Sequence, residues 1–266
     1  MRSVSEILVL SVLVAAAAAR TPDSESAAAE QELFRLTNQD RAQEGLAALQ
    51  WNEWLAQAAR KHAQEMANQR QLSHQFSGEP TLRDRLASSG VRFNASGENV
   101  AFGPSAEEIN NDWMHSAGHR ANILDSKYNA VGIAIVRSGN EFYAVSDFAH
   151  TVPELSSGDV EHAVAAAINQ ARAQRNLPAL PRREDPQFRR YACEMAKNNR
   201  LSATGILGRP SVSASMAFTD ADPANFVSHF RNVANIATAR AFGVGACFAT
   251  NSSYPEGMNW VVVAFY

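Results

Sequence analysis

The chain has 266 residues, 45% of them hydrophobic and 19% charged, which is enough to bury one large core or two of ordinary size. A formal net charge of −3 excludes the strongly basic footprint that nucleic-acid binding requires. Two cysteines with no CxxC or CxxH spacing exclude a thiolate zinc knuckle.

From the N-terminus, "ILVLSVLVAAAAA" (7–19) is the one strongly apolar run. As a helix it spans about 20 Å, short of the bilayer's apolar core. With Arg2 ahead of it and an Ala-x-Ala site near Ala19, it reads as a signal peptide over 1–19, the alternative being an uncleaved anchor. Residues 20–30 then read as a polar spacer. No transmembrane span is expected after cleavage, which implies a secreted, extracellular or periplasmic location.

A helix is predicted over about 28–44. A second follows, on which Trp54, Leu55, Ala58, Ala59, Ala63, Met66 and Ala67 recur at helical spacing. "LSH" ends at His74, "GENVAFG" (97–103) reads as a strand carrying Glu98, and "WMHSAGHRANIL" carries Ser116 and His119. "AVGIAIV" and "EFYAVSDFA" read as strands. The Pro, Ser and Gly of "TVPELSSGD" mark a linker, set at 153–158. Beyond it come a helix (159–175), an apolar stripe of Phe188, Tyr191, Ala192, Met195 and Ala196, and the strands "GVGACFA" and "NWVVVAFY".

The second half repeats the first. "NQDRAQEGLAALQ" (38–50) and "NQARAQRNLPALP" (169–181) agree at eight of thirteen positions, where chance gives roughly one. "EMANQRQLSH" meets "EMAKNNRLSA", "ENVAFG" meets "ASMAFT", and "RANIL" meets "VANIA", in the same order. A period above a hundred residues means two domains, 31–152 and 159–266, and not a solenoid. Strands with residues for both faces call for a sheet covered on both sides by helices.

These landmarks, covering almost all of 32–149, resemble the CAP superfamily (cysteine-rich secretory, antigen 5 and pathogenesis-related 1 proteins) in its short bacterial SCP form. The resemblance implies an α+β fold, here tandem α-β-α sandwiches, each with a mainly antiparallel central sheet. It also implies a cleft lined by two histidines and two glutamates. His74, Glu98 and His119 match three of the four, and the second glutamate's position is Ser116. Aligned on the repeat, His74 becomes Ala203, Glu98 becomes Ala214, His119 becomes Asn232 and Trp113 becomes Phe226. The second domain is therefore expected to be a degenerate CAP-like copy lacking the cleft residues.

Chemically, His74 and His119 are candidate ligands for zinc or another divalent ion, but zinc normally takes three or more protein ligands. Glu98 either joins them or holds one imidazole's second nitrogen and fixes its tautomer. Ser116 is better read as a helix cap than as a nucleophile, since no GxSxG elbow is present. His62 and His115 match no landmark and read as surface or core-edge residues. Cys193 and Cys247 are either a disulfide, as secretion favours, or two buried thiols. The charge divides unevenly, with 11 Lys+Arg against 15 Asp+Glu over 31–156 and 11 against 8 over 157–266. The expected function is a binding module for a small lipid- or sterol-like or cell-wall ligand. The alternative is a metal-assisted hydrolase of the cell envelope.

Overall fold

The computed structural model describes residues 22–209, 211–231 and 237–266. The expected signal peptide and Asn232 lie outside the described residues. In the first half the elements are α1 (Pro22–Gln43), β1 (Gln50–Trp51), α2 (Glu53–Gln69), α3 (Leu82–Ser89), β2 (Phe93–Gly103), α4 (Ala106–His115), α5 (Ala117–Ile123), β3 (Ala130–Ser138) and β4 (Glu141–Thr151). The second half has α6 (Ser157–Ala173), α7 (Pro186–Lys197), α8 (Thr204–Leu207), β5 (Ala214–Asp220), a 3-10 turn (Pro223–Asn225), α9 (Phe226–Phe230), β6 (Phe242–Ala249) and β7 (Met258–Phe265).

Two boundaries differ from expectation. Residues 22–30 are the first turns of α1 and not a spacer, because Ala29 is buried in the core and the Glu30 carboxylate accepts from the backbone N–H of Ile135 at 3.1 Å. The linker is shorter than 153–158, because Ser156 and Asp159 form a capping box that starts α6 at Ser157.

Strand order in the first sheet is β1-β3-β4-β2, antiparallel except for the short β1–β3 pair. On one face α2 packs Ala59, Ala63 and Met66 against Val100, Ala134 and Val145. On the other, α1 and α4 bury Leu33, Ile109 and Trp113 against Ile133, Ile135 and Phe148. Burying a side chain such as Leu33 or Phe148 contributes about 1.5–3 kcal/mol. Gly132 allows α2 to approach closely, since a Cβ there would lie 2.0 Å from the backbone N of Ala56.

The second half is also an α-β-α sandwich. Its antiparallel sheet, β5-β7-β6, lies between α7 and the pair α6 and α9. Several side-chain hydrogen bonds of the first half have counterparts in the second, three of them 131 residues along the chain at both ends. Asn38 and Leu49 exchange two with each other, as Asn169 and Leu180 do. Arg41 Nε donates to Ala47 O, and Arg172 Nε to Pro178 O. Glu161 accepts from Ala246 N–H on edge strand β6, as Glu30 does from Ile135 on β3. A disulfide joins Cys193 on α7 to Cys247 on β6. Between the halves, Arg83 forms a two-point pair with Glu256 (2.6 and 2.9 Å) and Arg92 lies 3.7 Å over the Phe248 ring. Both place an arginine of the acidic half against the basic half, so local partners and not net charge set this contact.

Candidate functional site

The site forms at the outer edge of the first sheet, where among the described residues no strand lies beyond β2. Trp113 Nε1 donates to Val100 O (3.3 Å), and Asn122 Nδ2 donates to Glu98 O (3.1 Å). Side chains from α4 and α5 thus occupy carbonyls that would otherwise recruit another strand. The same connection brings His119, on α5, to this edge. Asn99 Nδ2 bonds His119 O at 3.0 Å, and the Trp113 ring lies 6.3 Å from the imidazole.

Alternation along β2 turns Glu98 and Val100 toward α2, and Gly97, Asn99 and Ala101 toward α4 and α5. Glu98 is therefore buried, with its side chain 3% exposed, beneath the loop that follows α2. That helix ends at Gln69, where Arg70 takes a left-handed conformation (φ 52°), so His74 stands in the loop and not at the helix end. His74 Nδ1 bonds Glu98 Oε1 at 2.8 Å while the imidazole remains 62% exposed. Arg85, buried on α3, donates to Glu98 Oε2 and to the backbone carbonyls of His74 (3.2 Å) and Pro80 (3.3 Å).

His62, expected at the surface or the core edge, lies inside. It is fully buried beneath the same loop, with Nδ1 2.7 Å from Glu79 Oε1, Nε2 2.8 Å from Ser73 O, and Nε2 4.0 Å from Glu98 Oε2. Both ring nitrogens thus have a partner, one from the loop's carboxylate and one from its backbone. Glu79 Oε2 also accepts from Phe76 N–H (3.0 Å), which fastens the loop carrying His74. His115 is an exposed residue bonded to Asn111 O.

The two cleft histidines are pushed in opposite directions. The hydrogen bond to Glu98 holds the His74 imidazole above the ordinary histidine pKa, against burial and the nearby Arg85 charge. Burial, and then the charge of His74, hold His119 below it. Glu98 bonds His74 through its side chain, and the next residue of β2, Asn99, bonds the backbone carbonyl of His119. Ser116 stands at the start of α5, but its side chain makes no capping hydrogen bond. Behind Glu98, Asp147 is fully buried, and burial followed by the charge of Glu98 keeps its carboxyl well above the usual range.

A metal ion does not fit this donor set. Glu98 commits one oxygen to His74 and the other to Arg85, which leaves two imidazoles where zinc takes three or more ligands. Among the described residues no group of three His, Cys, Asp or Glu side chains is arranged to hold one.

In the second half, Ala214 packs toward α6, while Ser215 turns to the other face, where its Oγ donates to Ala203 O (2.9 Å). Phe226 is buried in the core on the α6 side.

The family model described as "Cysteine-rich secretory protein family" (CAP) matches residues 34–148. Two Bacillus subtilis (strain 168) proteins are similar. The uncharacterized protein YkwD is 36% identical over 118 residues, 44% of this chain and 46% of that protein. The uncharacterized membrane protein YlbC is 36% identical over 112 residues, 41% of this chain and 32% of that protein. The chain thus spans less than half the length of either. An extracellular SCP-domain protein from Bacillus anthracis str. Ames aligns at 29% identity and TM-score 0.45, covering 50% of this chain and 45% of that one. Na-ASP-1 aligns over 90% of this chain and 89% of its own at TM-score 0.50 and 9% identity, a likeness of fold that extends across both halves.

Proposed function

We propose that this protein, whose residues 34–148 match the cysteine-rich secretory protein family model, acts outside the cytoplasm as a binding module. Its ligand is a small lipid- or sterol-like molecule or a cell-wall component, held at the β2 edge by His74 and His119. One observation carries this reading. Glu98, anchored by Arg85, takes the Nδ1 of His74 and leaves its Nε2 directed outward on an exposed ring. That is a fixed, protonatable donor beside a second imidazole favoured in its neutral form, a pairing suited to polar recognition. A hydrolase would need a free carboxylate or an activated nucleophile, and Glu98 and Ser116 supply neither.

The Cys193–Cys247 disulfide supports an oxidising compartment. We read residues 159–266 as a degenerate second copy, supported by the recurring hydrogen bonds and by the loss of the histidine and glutamate.

The test is co-sedimentation of the purified protein with peptidoglycan sacculi and, separately, flotation with sterol-containing phosphatidylcholine vesicles. Binding to one of them, reduced at least tenfold in the His74→Ala, His119→Ala double variant, is expected. Binding that the double variant retains in full would overturn the assignment to this site.

A further inference from the structure

Asp147 lies on β4 directly across the register from Glu98 on β2, with Gly132 of β3 on its other side. Both carboxyls are turned to the α2 face, since the residues two along each strand, Val100 and Val145, pack there together. Asp147 is 0% exposed, and among the described residues neither of its oxygens has a hydrogen-bond donor. An ionised carboxylate without donors in such a place costs several kcal/mol, whereas a neutral acid beside an acceptor does not.

The charged groups around it are Arg85 from α3, Glu98 from β2, Glu79 from the loop and, across Glu98, His62 from α2. Arg85 already donates to Glu98 and is 3.8 Å from Glu79, so one guanidinium faces three carboxyls. With Asp147 as a carboxylic acid, one guanidinium faces two carboxylates. Ionising Asp147 as well would set a third negative charge in the core against the same guanidinium.

We propose that Asp147 is a positioning residue for this site: its carboxyl and that of Glu98 share one proton across the strand pair, which holds Glu98 against Arg85 and His74. The chain therefore has a second carboxyl at the site, reached from β4 and not from the Ser116 position. The proton on Asp147 draws part of the negative charge of Glu98 away from His74. Asp147 thereby limits how strongly the imidazole holds its own proton. The inference concerns the same site as the proposed function, but its test uses no ligand, so either can fail alone.

The experiment is carbon-13 NMR of the Asp147 side-chain carboxyl in the full chain across pH 5–8, together with His74 imidazole titrations in three proteins. The Asp147 carboxyl is expected to remain an acid at pH 7. Asp147→Asn, which keeps a donor to Glu98, should leave the His74 midpoint close to wild type. Asp147→Leu, which removes it, should raise the midpoint by roughly half a unit. An ionised Asp147 at pH 7 overturns the proposal, and so does a His74 midpoint equal in all three proteins. If the leucine variant does not fold, the wild-type carboxyl signal decides alone.

Discussion

Replacing Arg85 with leucine removes the one guanidinium that faces Glu98, Glu79 and Asp147 in the core. Breaking a buried ion pair from one side typically costs about 3–5 kcal/mol. The protein has a cheaper response, which is to take up a second proton among the carboxyls. Neutralising a carboxyl of ordinary acidity (about 4.3) costs about 1.4 kcal/mol per pH unit, hence about 3.7 kcal/mol at pH 7 and about 1 kcal/mol at pH 5. That limit governs the electrostatic part of the loss. The hydrogen bonds to His74 O and Pro80 O add about 1 kcal/mol at either pH, since both carbonyls lie in a solvent-facing loop. Arg85→Leu should therefore destabilise by about 4–5 kcal/mol at pH 7 and about 2 kcal/mol at pH 5. Urea unfolding of both proteins at the two pH values measures this. Equal losses at pH 5 and pH 7 would refute the reasoning, because they would assign Arg85 a packing role alone.

Other expectations follow from the same geometry. The His74 midpoint should lie above that of a free histidine and the His119 midpoint below it, and His74→Ala should raise the latter; imidazole NMR reads all three. Because folding raises the pKa of His74, its stabilisation is present in full below the unfolded-state value and lost as pH rises through the folded midpoint. His74→Ala should accordingly cost more stability at pH 5 than at pH 8 in urea unfolding. Gly132→Ala places a methyl 2.0 Å from Ala56 N and should cost about 3 kcal/mol or more by thermal denaturation, a loss no rotamer change can relieve. Serine at both Cys193 and Cys247 should cost about 2–4 kcal/mol, with wild type under reductant showing the same loss.

What the sequence made legible was whatever repeats or alternates. The helical stripe of α2, the alternation in β3 and β4, and the duplication over 38–50 and 169–181 each mark an element without reference to distant contacts. His74, Glu98 and His119 were legible as candidates through the motifs that carry them. The groups that hold those residues were not. Arg85 and Glu79 look like solvated charges, because only the fold brings them beneath one loop. His62 occupies an inward position of α2, at i+3 from Ala59, which is a usable signal of burial. Asp147 offers a better one, a carboxyl two residues from Val145 on the inward face of a strand. No local pattern distinguishes the start of α1 from a polar spacer, since the contacts that fix Ala29 and Glu30 come from a sheet about 100 residues away.

The central claim is that ligand binds at the β2 edge through His74 and His119. Side-chain NMR of the histidines, recorded while soluble peptidoglycan fragments and then sterol-containing vesicles are added, tests it most directly. The account predicts that the His74 and His119 signals shift together with whichever addition binds, while that of His162 in the second half stays fixed. Binding that leaves both cleft signals unmoved, or that shifts only resonances of residues 159–266, would contradict it.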